Sequence, residues 1–169
     1  MANFKETYDK INESKAFQQF KQDHPDAKIV AGFFILDFQS NDTKSTLDYM
    51  DGEKVFTFQL FDDGGVAIKE DKLIESKSSD QPKLTPIEPN IKVELDELKS
   101  IIGTRKLDEG INATINKIIA VLQNHEGKLT WNLTCMLDQL IIIHALIDAK
   151  TGEIVKFERK NMMDFIKKK

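Results

Sequence analysis

From residue 128 onward the side chains alternate. Leu129, Trp131, Leu133, Cys135 and Leu137 fall on one side of an extended chain, and Thr130, Asn132, Thr134 and Met136 fall on the other. A period of two marks a strand with one buried face. Residues 54–60 repeat the pattern, with Phe56, Phe58 and Leu60 set against Val55, Thr57 and Gln59. Two such strands commit the chain to an antiparallel sheet that buries one of its sides.

Residues 29–38 and 140–147 are apolar on both faces and read as central strands. Further strands are expected at 46–50, 66–69 and 154–158. Turn chemistry at 40–43, Asp51-Gly52, 62–65 and 151–153 joins them. Ser14 is placed to cap a helix whose Ala16, Phe17 and Phe20 share a face and which stops at His24-Pro25, with an earlier turn of helix within 4–13. Residues 95–102 read as a helix ended by Gly103. Residues 107–124 read as a longer helix, because Ile111, Ile115, Ile118, Ile119 and Leu122 form a stripe at helical spacing. A short helix at 162–166 closes the chain. The polar, proline-containing stretch 75–90 divides it into 1–74 and 91–169.

The order helix, strand, strand, turn, strand occurs in both parts, and the pairs Gly52-Glu53 and Gly152-Glu153 lie at matching turns. The expected fold class is therefore α+β, with two pseudo-repeated helix-plus-antiparallel-sheet units. Whether the two share one sheet is left open. The hairpin through Ile147, Asp148, Ala149, Lys150, Thr151, Gly152, Glu153, Ile154 and Val155 resembles that of the PepSY family. The resemblance implies a cystatin-like fold and a binding or peptidase-regulating role. Many members of that family are exported or membrane-attached. Residues 1–6 lack the apolar stretch of a signal peptide, so the sequence reads as cytoplasmic and departs from that pattern.

Composition narrows the function classes. The net charge of −4 speaks against a general nucleic-acid surface, which needs a clustered basic patch. The one basic run, Lys167 to Lys169, reads as a solvated tail. The longest apolar run, 140–147, is too short to span a bilayer, and no membrane partner is expected. A single cysteine excludes an internal disulfide.

Candidate chemistry is sparse. His24 and His125 are expected at helix ends, where a cation suits the dipole. His144 interrupts an apolar strand and has Asp148 on the same strand face. Cys135 and His144 could meet across neighbouring strands as nucleophile and base, yet a mid-strand thiol beside Trp131 and Leu133 behaves as a small apolar side chain. The 62–65 turn has too few carboxylates for calcium, and no phosphate loop follows Gly64-Gly65. No cofactor or metal is expected, and no catalytic residue is assigned. Two candidate sites remain. One is a ligand pocket around His144, Cys135, Trp131 and Asp148. The other is a sheet face bearing Thr130, Asn132, Thr134, Thr57 and Gln59. The sequence favours a non-enzymatic binding or regulatory protein acting on a protein or peptide partner, with a small-ligand carrier or enzyme as the alternative. It is expected as a compact monomer, or as a homodimer through a sheet surface with Phe34 at the contact.

Overall fold

A computed structural model describes residues 3–72 and 84–162. Its strands are β1 (Lys28–Asp37), β2 (Asp42–Asp51), β3 (Lys54–Leu60), β4 (Val66–Lys72), β5 (Ile115–His125), β6 (Lys128–Leu137), β7 (Ile141–Asp148) and β8 (Ile154–Asn161). All eight form one antiparallel sheet in the order β4-β3-β2-β1-β5-β6-β7-β8. This corrects the expectation of two helix-plus-sheet units. β1 and β5 pair from Gly32↔Leu122 to Asp37↔Lys117, so the ladder crosses the centre without a break. One core cluster draws on both ends of the chain. The strands of both parts of the chain thus belong to one sheet-dominated fold.

The three described helices, α1 (Phe4–Glu13), α2 (Lys15–Asp23) and α3 (Leu95–Asp108), lie on one side of the sheet. Ser14 makes the corner between the first two. Its Oγ donates to Ile11 O at 2.6 Å and accepts the Phe17 N–H at 3.1 Å, ending one helix and capping the next. α1 sends Phe4 onto Phe34 and Trp131, both at edge-to-face angles. α2 sends Phe17 and Phe20 onto Tyr49, Phe56 and Phe58. α3 buries Leu95, Leu98 and Ile102. Just before it, Val93 O accepts the Trp131 indole N–H at 2.9 Å. None of the described helices is long and apolar enough to cross a membrane.

The helix read at 107–124 is a second correction. Residues 115–125 are the strand β5, with Ile118, Ala120 and Leu122 fully buried at every second position. The apolar residues fit a helical stripe, or a strand that is apolar on both faces. The β-branched content of the run and two flanking strands decide for the sheet. The preceding helix passes through Gly103 and stops at Gly110, whose φ of +78° suits glycine. There the Ile111 N–H reaches Lys106 O and the Gly110 N–H reaches Leu107 O, which satisfies the last carbonyls.

Half of the expected linker is docked. Ile87 is buried, and its N–H donates to Ile29 O at 2.9 Å. The 75–83 part, the helix at 163–166 and the tail at 167–169 lie outside the described residues.

Candidate functional site

Alternation along each strand sends one set of side chains toward the helices and the other to the opposite face. On that second face Phe33 stands between Thr46 of β2 and Val121 of β5, and the row continues through Asn132 to Leu146. The next row runs Lys44, Ile35, Ile119, Thr134, His144, Glu158. Phe33, Ile35, Ile119 and Val121 are all half-buried, and none belongs to the core cluster. No described helix packs on this face. The two central strands therefore carry an apolar strip that no described helix covers.

The five polar residues expected on a binding face all lie here. Thr130, Asn132 and Thr134 are on β6, with Thr57 and Gln59 on β3. They are not one patch. Three strands separate β6 from β3, so the two polar tracts stand about 19 Å apart on either side of the apolar strip. Thr130 is itself buried and donates to Lys128 O. Thr57 Oγ1 donates to Asp48 Oδ1 at 2.6 Å. Burial raises the Asp48 carboxyl above its ordinary range, the Thr57 hydrogen bond pulls it down, and Asp71 raises it further. The apolar strip itself was missed. Its signal was the two-faced apolarity of 29–38, and its other half was hidden in the segment read as a helix.

The second candidate site does not assemble. Cys135 pairs with Ile143 and Thr134 pairs with His144, so thiol and imidazole project from opposite faces of the sheet. Cys135 and Trp131 are 0% exposed on the helix side. Burial pushes the Cys135 thiol up to about 12, far from a thiolate nucleophile. His144 shares the uncovered face with Asp148, but Asp148 Oδ1 is engaged by the Lys150 and Thr151 N–H groups and shapes the β7–β8 turn.

His24 ends α2 as expected, and its Nδ1 lies 2.8 Å from Asp51 Oδ2. His125 instead ends β5, next to a tight turn in which Glu126 and Gly127 both have positive φ. Among the described residues no group of three or more His, Cys, Asp or Glu side chains could hold a metal ion.

No family model matches the chain, and no curated protein matches it. The PepSY resemblance, read over about residues 107–160 with the hairpin 147–155 near its end, accordingly rests on the sequence alone. Among solved structures the chain is similar to a "putative lipoprotein" from Clostridium difficile 630. The match has 18% identity, covers 86% of this chain and 90% of that one, and has a TM-score of 0.59. At that identity the likeness shows a shared fold and no more.

Proposed function

We propose that this is a non-enzymatic binding protein that engages a protein or peptide partner over the uncovered sheet face. The observation that carries the reading is the strip Phe33, Ile35, Ile119 and Val121, apolar and half-buried with no described helix over it. Eight strands spaced about 4.8 Å apart, the shortest of them seven residues long, offer roughly 800 Å² or more, the share that one partner contributes to a standard interface. An apolar centre with polar residues on both sides is how such interfaces are built. The partner this surface fits presents apolar side chains flanked by hydrogen-bonding ones. The PepSY-like hairpin, with the binding role it implies, points the same way.

The face is favoured over the sheet edges. β4 carries Lys69, Glu70 and Asp71, and β8 carries Lys156, Glu158, Arg159 and Lys160. Charged edge strands discourage the pairing of another strand. The alternative of a pocket enclosed by Cys135, His144 and Trp131 has the sheet running through it.

Selection of a displayed library of short peptides on the native chain tests the reading. Peptides rich in aliphatic and aromatic residues are expected, and their binding should drop at least tenfold on a Phe33→Lys, Ile119→Lys double variant that keeps its far-ultraviolet spectrum. Selected peptides that bind both proteins alike, or a selection that yields no apolar peptides, would overturn it. Location is a separate matter: the cytoplasmic reading and the lipoprotein description of the structural neighbour point to different compartments, and fractionation of cells carrying the full-length chain decides.

A further inference from the structure

At one end of the helix side, the loop after α3 and the β6–β7 connection enclose an open cleft of about 370 Å³. Asn112, Thr114, Asp138, Gln139 and Arg159 line it, with the backbone of Gly110. Arg159 and Asp138 share this cleft without pairing. Among the described residues, the Arg159 side chain makes no ion pair or hydrogen bond, although its guanidinium is charged at any physiological pH. Asp138 is held in place. Its Oδ1 accepts from Asn116 Nδ2 at 2.7 Å, and its N–H donates to Thr114 O at 3.0 Å. Among the described residues its Oδ2 accepts no hydrogen bond, and Asp138 lines the cleft.

The backbone here is also under strain. Gln139 and Leu140 stand consecutively at φ +66° and +58°. Neither residue tolerates that region as Asn or Gly does. Strain of this kind gathers at ligand sites, where the surrounding structure holds it. Here it directs Gln139 to the cleft and leaves Leu140 half exposed to solvent.

We infer that this cleft binds a small zwitterion of the α-amino-acid kind, with its carboxylate on Arg159 and its ammonium on Asp138. An unpaired cation and an anchored carboxylate in one cleft, with neutral amide and hydroxyl groups also lining it, complement such a molecule. They fit a lone anion or a lone amine less well, since either would meet one like charge. The volume lies at the small end of the range for ligand sites, which suits a free amino acid. The site is independent of the sheet face and stands or falls by itself.

The test uses the ¹⁵N-labelled full chain with L-alanine as probe, and ethylamine and propionate as its two halves. L-alanine at millimolar concentration is expected to shift the amides of 110–114 and 138–141. Each half-molecule should bind at least tenfold more weakly, as should the Arg159→Gln variant, because each loses a charge-assisted contact. Arg159 is exposed on an edge strand, so that substitution leaves the fold intact. Lys156→Gln, on the same strand but the other face, should bind as the parent does. Absence of shifts in these amides, propionate binding as tightly as L-alanine, or unchanged binding by Arg159→Gln would each overturn the inference.

Discussion

The carboxylate of Glu94 holds the main chain of Phe4 across 90 positions of sequence, Oε2 accepting the Phe4 N–H at 2.9 Å. Oε1 accepts the Lys5 N–H at 3.0 Å, and Oε2 also takes the Leu95 N–H at 3.1 Å. One anion thus serves the first turns of α1 and α3, where N–H groups lack helical partners and the dipole favours negative charge. It joins two elements far apart in the chain over one core.

Glu94→Ala should therefore cost more than the loss of an ordinary cap, about 1–3 kcal/mol, because two helix starts lose acceptors together. Glu94→Gln keeps an acceptor oxygen and should fall between the two. Urea midpoints of the three proteins measure this. An alanine variant with an unchanged midpoint would show that the bridge contributes nothing in solution.

Trp131 is the sole tryptophan, so its fluorescence reports directly on this core. Trp131→Phe keeps a ring against Phe4 and Phe34 but strips the buried Val93 carbonyl of its indole donor. A loss of roughly 1–3 kcal/mol is expected, from the smaller ring and the unpaired carbonyl together. In the parent protein the emission should be blue-shifted when folded and move to the red on unfolding in step with circular dichroism. A red native spectrum would contradict the buried position.

These contacts also mark what the sequence could disclose. β6 was legible because Leu129 to Leu137 alternates, with Met136 the one apolar residue on its polar side, and the Ser14 cap because its neighbours have helical spacing. β5 was not, since Ile115, Ile118, Ile119 and Leu122 fit a helical stripe as readily as a strand apolar on both faces. Which one holds depends on β1 and β6 lying alongside. The central β1–β5 pairing, which makes one sheet of the strands, joins Phe34 to Ala120 and Leu36 to Ile118. No local pattern specifies a pairing between segments so far apart. The uncovered face was half legible: the polar flanks Thr57, Gln59, Asn132 and Thr134 showed as alternation, whereas the strip between them needed that pairing to exist.

Alkaline pH should weaken the fold. Cys135 is pushed up to about 12 by burial, and burial raises the Tyr49 hydroxyl as well. Between the ordinary thiol range and that value, the native state holds a proton that the unfolded chain releases. Stability is then fully present below the unfolded pKa and falls as pH climbs toward 12. Urea midpoints at rising pH should decline above pH 9 or so, and less steeply in Cys135→Ala. A thiol reagent at mild pH should modify the native protein no faster than it unfolds. Rapid labelling under native conditions would show that Cys135 is accessible and would remove burial as the cause.

Phe33 and Phe34 are neighbours with opposite fates, and they test the assignment of faces directly. Phe34 is 0% exposed against Phe4 and Trp131, so it cannot be the interface residue that the sequence suggested for a homodimer. Any such contact falls to Phe33, on the uncovered side. Phe34→Ala should cost about 3–5 kcal/mol, whereas Phe33→Ala on a face open to water should cost about 1 kcal/mol. The difference is read from urea midpoints at low and high protein concentration. If both substitutions cost alike at low concentration, something within the chain covers Phe33 and the face is not free for a partner. If the Phe33 loss grows with protein concentration, a second copy covers it, because only association makes stability depend on concentration. A small loss at every concentration is the expected result, and it leaves the strip exposed on the isolated chain.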